Sequence, residues 1–278
     1  MKKYRLLVTV IIAMGIILIG TSNPITNLQK YTNMINKQDI QNKQDNKKNS
    51  DKTTDNKPSN KSNNSTKPNN NYLICIDPGH QEKGDPNLEP VGPGSSNKKA
   101  RVSSGTAGIA TKKPEYVLNL EASTVLKHIL EGKGYNIIMT RESHDVNISN
   151  SERATLANEK KADMVIRVHA DSLDNSSKTG ASILIPEEGG KYTSAIYEDS
   201  NKCAESIKQS MNEAGINLNG IFQRGDLTGF NWSKVPVVLV EMGFMSNYNE
   251  DQMMSNPDYQ RKLMQSIADG VEDYFRNK

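Results

Sequence analysis

The chain has 278 residues, 24% of them charged and 35% hydrophobic, and a formal net charge of +3, which is enough chain for one or two domains. The charge is uneven: residues 1–71 carry a net +8 and residues 72–278 a net −5. Positive charge is therefore scarce where the chain has the apolar content to fold. That argues against a nucleic-acid partner, whose recognition needs clustered Lys and Arg.

In chain order, Lys2, Lys3 and Arg5 precede an apolar run from Leu6 to Gly20. This is a charged n-region followed by a hydrophobic h-region. The run has 15 residues, short of the ~20 that span a bilayer as a helix. No Cys follows it, and no A-x-A site follows among the small residues Gly20, Thr21 and Ser22. Residues 1–22 read as a cleaved signal peptide or a retained membrane anchor. Either one places the remainder outside the cytoplasm. Residues 23–71 read as a disordered tether. Its part from 37 to 71 has one Ile and no aromatic residue, too little apolar surface to offset the entropy of ordering.

From Tyr72 onward apolar patterning alternates between strand and helix periods. Strands are expected at 72–77, 135–140, 164–169, 181–185 and 235–241. Helices are expected at 115–132, closed by Gly132, at 151–161, at 191–215 and at 257–275. Alternation of this kind predicts a single α/β domain over 72–278. Its core is a mostly parallel, twisted sheet of about six strands with helices on both faces. Residues 81–114 are rich in Gly, Ser and Lys and read as a long loop without regular structure, a lid or a solvated surface segment. Its Lys and Arg are candidates to meet acidic groups of a substrate. Cys75 and Cys203 are too few for a disulfide framework and read as buried thiols.

In an open parallel sheet, ligands bind beyond the carboxyl ends of the strands. Strand 72–77 leads to His80, strand 164–169 ends on His169, and strand 235–241 ends on Glu241. A right-handed crossover returns the first helix to the same edge, so Glu115, in its first turn after Pro114, falls beside His80. Glu121 lies about 9 Å further along that helix at 1.5 Å per residue and drifts away from the edge. Two imidazoles and a carboxylate make a three-ligand zinc site with one position left open. A separate carboxylate can then act as base. His80, Glu115 and His169 are thus the candidate metal ligands and Glu241 the candidate base. Taken singly each has a plainer reading, as a loop histidine, a helix-start carboxylate or a strand-end side chain. Their convergence on one edge is what argues for chemistry. His128, inside a helix, and His144, in a polar loop, carry no such argument.

The ordered segments "IDPGH" (76–80), "PEYVLNL" (114–120), "VHAD" (168–171) and "VEMGFMSN" (240–247) resemble the motifs of zinc-dependent N-acetylmuramoyl-L-alanine amidases of the amidase-3 type. "MTR" (139–141) and "SERATLAN" (151–158) support the likeness. The resemblance implies hydrolysis of the amide between N-acetylmuramic acid and L-alanine of peptidoglycan. It also implies Zn2+ on His80, Glu115 and His169, with Glu241 as catalytic glutamate. Two positions depart from the family's usual pattern: Gln81 stands where many members have Gly, and Asp171 where many have Asn. The competing readings are a zinc peptidase acting within the stem peptide and a non-catalytic wall-binding protein. An intact Glu241 speaks against the second. The expected protein acts as a monomer on peptidoglycan, in the wall or tethered at the membrane.

Overall fold

The computed structural model describes residues 70–278. The expected signal or anchor at 1–22, and the tether as far as residue 69, lie outside the described residues. Among the described residues, no helix is long and apolar enough to cross a membrane.

Eight strands form two sheets. The main sheet contains β1 (Leu73–Pro78), β4 (Asn136–Met139), β5 (Met164–Asp171), β6 (Ala181–Pro186), β7 (Leu218–Arg224) and β8 (Val237–Phe244). Its order is β4-β1-β5-β8-β6-β7. Strands β4, β1, β5 and β8 are parallel, while β6 runs antiparallel to β8 and carries β7 with it. The sheet is thus mostly parallel, as the alternating pattern predicts. The central strands β1, β5 and β8 are buried along almost their whole length, which is why they read as continuous apolar runs rather than alternating ones.

The long helices are α1 (Glu115–Gly132), α3 (Ser194–Glu213) and α6 (Pro257–Arg276), with α2 (Asn150–Glu159) and the short α4 (Thr228–Asn231) and α5 (Tyr248–Met254) between them. Helix α6 packs on both α1 and α3. Gly270 lets α6 approach closely, since a Cβ there would lie 2.4 Å from Ile207 Cα. Ala157 of α2 and Phe230 of α4 join a buried cluster with Cys75, Val165, Val237 and Leu239 of the sheet. Both cysteines are free and buried, as expected.

Helix starts follow local chemistry. Helix α2 begins at Asn150, one residue earlier than its apolar pattern suggests. Ser149 caps it and Glu152 returns the bond to the Ser149 N–H, a capping box. Asn256 caps α6, whose first residue is Pro257, a position where the missing N–H costs nothing.

The segment 81–114 is not a structureless loop. It holds a second, two-stranded sheet of β2 (Asp85–Pro90) and β3 (Lys98–Val102). The strand "DPNLEP" has two prolines, which within a sequence demote a strand. They are tolerated because β2 pairs with β3 alone. The ribbon is fastened from outside. Trp232 Nε1 donates to Pro90 O (2.9 Å), Asn150 Nδ2 to Arg101 O (2.8 Å), and Ser151 Oγ to Glu89. The sixth strand of the main sheet, β7, has no apolar alternation in "LNGIFQR" and is also invisible to periodicity.

Candidate metal centre and cleft

Beyond β1 the chain turns through Gly79 into His80, which adopts a left-handed conformation (φ 62°). For a side chain with a Cβ this costs about 1–2 kcal/mol, so the surroundings must fix it. Three successive carbonyls are held by two buried arginines. Pro78 O accepts from Arg141 Nε (3.0 Å) and Arg153 Nη1 (2.9 Å). Gly79 O accepts from Arg141 Nη2 (2.9 Å), and His80 O from Arg153 Nη2 (3.0 Å). The position before His80 must be glycine, because a Cβ on Gly79 would sit 2.2 Å from the His169 ring.

Asp77 carries the charge that lets Arg153 and Arg167 be buried. It accepts from Arg153 Nη1 and from Arg167 Nε, both at 2.8 Å, and from Thr140 Oγ1. Burial alone would raise its pKa, but the two guanidinium groups and the Thr140 hydrogen bond outweigh burial and hold it well below the usual carboxylate range.

The His80 ring is oriented from its far side. Its Nδ1 lies 3.0 Å from Ser103 O. Ser103 Oγ is 2.9 Å from the same nitrogen; with the proton on Nδ1 both oxygens accept it, and the lone pair stands on Nε2. That nitrogen is 3.1 Å from Glu115 Oε1, and His169 Nδ1 is 3.4 Å from the same oxygen. Glu115 opens α1. Its carboxylate is positioned by Thr106 N (3.1 Å to Oε2), Asn119 Nδ2 (3.1 Å) and Ala170 N (3.3 Å, both to Oε1). Burial would raise the Glu115 pKa, but the two imidazoles beside it bring it well below its ordinary value. Burial pushes His169 down to about 4 despite the Glu115 carboxylate. An ionised carboxylate beside a neutral imidazole is the protonation state in which both can act as ligands.

Ligand-type atoms of His80, Glu115 and His169 all lie within 4.8 Å of one another. His169 Nε2 is buried without a hydrogen-bond partner among the described residues. Two imidazoles and one carboxylate fit a divalent transition ion with room for a further ligand. Glu121 is not in this group: it pairs with Lys113 at the rim, as the helix geometry requires. His128 pairs with Glu131 on the surface, and His144 packs edge-on against Tyr116.

Glu241 stands opposite His169 in the parallel register of β5 and β8, so both side chains leave the same face. Its Oε2 is buried and makes no hydrogen bond among the described residues. Burial raises its pKa well above the ordinary value, the charges of Glu115 and Asp171 add to this, and Arg167 and Arg224 oppose it. Asp171 is half-exposed and accepts from Ser172 N. The four expected residues therefore meet at one sheet edge. Periodicity did not single out Asp77, Arg153, Arg167 or Ser103. The available signal was a lone Asp ending an apolar strand, which needs a partner, together with Arg residues inside "MTR", "SERATLAN" and "MVIRVH". Nor do Lys99 and Arg101 of the ribbon stand free for a substrate. Lys99 pairs with Asp226, and Arg101 with Asp85 and Glu152.

The sequence profile of the family described as N-acetylmuramoyl-L-alanine amidase matches residues 74–273. A Staphylococcus saprophyticus protein described as "Probable cell wall amidase LytH" is 28% identical over 210 residues, covering 75% of this chain and 60% of that one. The N-acetylmuramoyl-L-alanine amidase LytC of Bacillus subtilis is 28% identical over 209 residues, covering 73% of this chain and 35% of that one. The chain thus spans at most about 60% of the length of these two relatives. Among solved structures, the apo form of the N-acetylmuramyl-L-alanine amidase Ami1 of Mycobacterium abscessus superposes with a TM-score of 0.66 at 26% identity. The match covers 73% of this chain and 98% of that chain.

Proposed function

The chain belongs to the N-acetylmuramoyl-L-alanine amidase family, and on that premise we propose that residues 72–278 form its catalytic domain. The domain hydrolyses the amide between N-acetylmuramic acid and L-alanine in peptidoglycan, outside the cytoplasm. The observation that carries this is the meeting of His80, Glu115 and His169 within ligand distance, with Glu241 on the same face of the adjacent strand.

His80, Glu115 and His169 hold the ion, for which zinc is the natural occupant of a His2Glu set with an open position. When bound, zinc supplies Lewis acidity to a water and to the scissile carbonyl. Ser103 keeps the lone pair of His80 on Nε2. Asn119 and the Thr106 and Ala170 amides keep the Glu115 carboxylate turned to the two imidazoles. Glu241 takes the proton of the attacking water and delivers it to the departing amine of L-alanine, so one carboxyl serves as base and then as acid. Its raised pKa suits a group that must hold that proton between the two steps.

The test is product analysis. Purified protein is incubated with peptidoglycan, and the released ends are identified by mass spectrometry. The expected products are intact glycan lactyl carboxyls and stem peptides with a free L-alanine amine. Cleavage within the stem, with the muramoyl amide intact, would assign the same centre to a peptidase instead.

A further inference from the structure

Arg224 is the last residue of β7. Ser182 pairs with Glu241 across β6 and β8, Leu184 pairs with both Leu239 and Phe222, and Pro186 pairs with Arg224. Paired residues share a face and alternate residues repeat it, so Phe222 and Arg224 lie on the face that carries Glu241. This part of the sheet is open, with Phe222 46% exposed and the Arg224 side chain 42% exposed. Arg224 also borders the cleft electrostatically: its charge lowers the pKa of both Glu241 and Asp171.

The guanidinium is held by one edge only. Its Nε donates to Asp226 Oδ1 (2.7 Å) and its Nη2 to Asp226 Oδ2 (3.0 Å). Lys99 Nζ, from the β2–β3 ribbon, donates to the same Oδ2 (3.0 Å) and to the Asp226 carbonyl (2.8 Å). Two cations thus share one carboxylate, and the trio keeps a charge of +1. Among the described residues, Arg224 Nη1 has no hydrogen-bond partner, so the outer Nη1 and Nη2 hydrogens point to solvent. A planar fork fixed on one edge and free on the other is preorganised for a second carboxylate. The carboxylates of the cleft, Glu115, Asp171 and Glu241, repel such a group.

We propose that Arg224, oriented by Asp226 and Lys99, is a specificity residue that binds a free carboxylate of the stem peptide just beyond the L-alanine released by cleavage. Exposed Phe222 flanks the same path and gives the peptide an apolar floor. This inference rests on the amidase reading above.

The test uses two N-acetylmuramoyl tripeptides that differ only in the second residue, whose side carboxylate is free in one and amidated in the other. A charge-assisted, bidentate contact is worth roughly ten- to a hundredfold in binding, so the full chain should favour the free acid by about that factor in kcat/KM, mostly through KM. Arg224→Met should bring the ratio of the two substrates towards one. Arg224→Lys, which keeps the charge and loses the fork, should retain part of the preference. Melting temperature and metal content are followed in parallel. Cleavage of both substrates at equal kcat/KM by the unmodified protein would overturn the subsite and leave the amidase reading standing. That result needs no variant to fold. Cleavage of neither at the muramoyl amide would remove both. A preference that survives in a folded Arg224→Met protein would assign it to another residue and overturn the proposal.

Discussion

Asp77→Asn removes the single charge on which two buried guanidinium groups depend. Arg153 and Arg167 each approach Asp77 at 2.8 Å, and all three side chains are almost fully buried. Breaking a buried pair by removing one partner costs about 3–5 kcal/mol, because the other charge stays desolvated. Here the lower end applies. Arg153 keeps Pro78 O, His80 O and Gln81 Oε1 as acceptors, and Arg167 keeps Asn150 Oδ1. A loss of ~3 kcal/mol is a large share of the 5–15 kcal/mol that stabilises a typical domain. With a urea slope of ~2–3 kcal/mol per molar, the unfolding midpoint should fall by about 1 M or more. The assay is equilibrium urea unfolding at neutral pH. It has a second arm in acid. The Asp77 pKa is depressed in the folded state, so its contribution is fully present above the unfolded carboxylate value near 4 and is lost as pH falls below that towards the folded pKa. The two proteins should therefore draw together as pH drops below about 4. A midpoint shift under ~0.3 M at pH 7, or a gap that widens in acid, would refute the claim that Asp77 neutralises this cluster.

Glu241→Gln should keep folding and metal content and lower turnover on soluble muropeptides by about 10²–10⁴-fold, the usual worth of general acid–base assistance. A Gln variant with its metal and near-normal turnover would remove Glu241 from the mechanism. Glu115→Ala should weaken metal binding in a chelator competition, whereas Glu121→Ala should not, since Glu121 pairs with Lys113 outside the group of candidate ligands and such pairs are worth at most ~1 kcal/mol.

The sequence made the four central residues legible because each follows a feature with a strong local signal. His80, His169 and Glu241 come at or just past strands too apolar to mistake, and Glu115 starts a helix whose period is clear over 18 residues. The crossover rule then ruled on Glu115 against Glu121 before any contact was known. What stayed hidden has no period of its own. Strand β7 shows no alternation, since its exposed residues Asn219, Phe222 and Gln223 do not fall on one face. The β2–β3 ribbon is polar on its surface and owes its shape to Trp232, Asn150, Ser151 and Asp226, far away in sequence. The reversal of β6 and β7 is equally silent, because direction depends on connection and not on residue type. Ser103 reaches His80 Nδ1 with both its backbone oxygen and its hydroxyl, but it sits in a polar stretch with no period to mark it.

The ribbon and the His80 turn are fixed by different physics, and this separates their responses to the surroundings. The turn hangs from buried guanidinium groups that counter-ions cannot reach. Besides its hydrogen bonds, the ribbon is pinned by the pairs Lys99–Asp226 and Arg101–Glu152, whose attraction dissolved ions screen. In strong brine these two pairs weaken, while the carbonyl turn under His80 stays set.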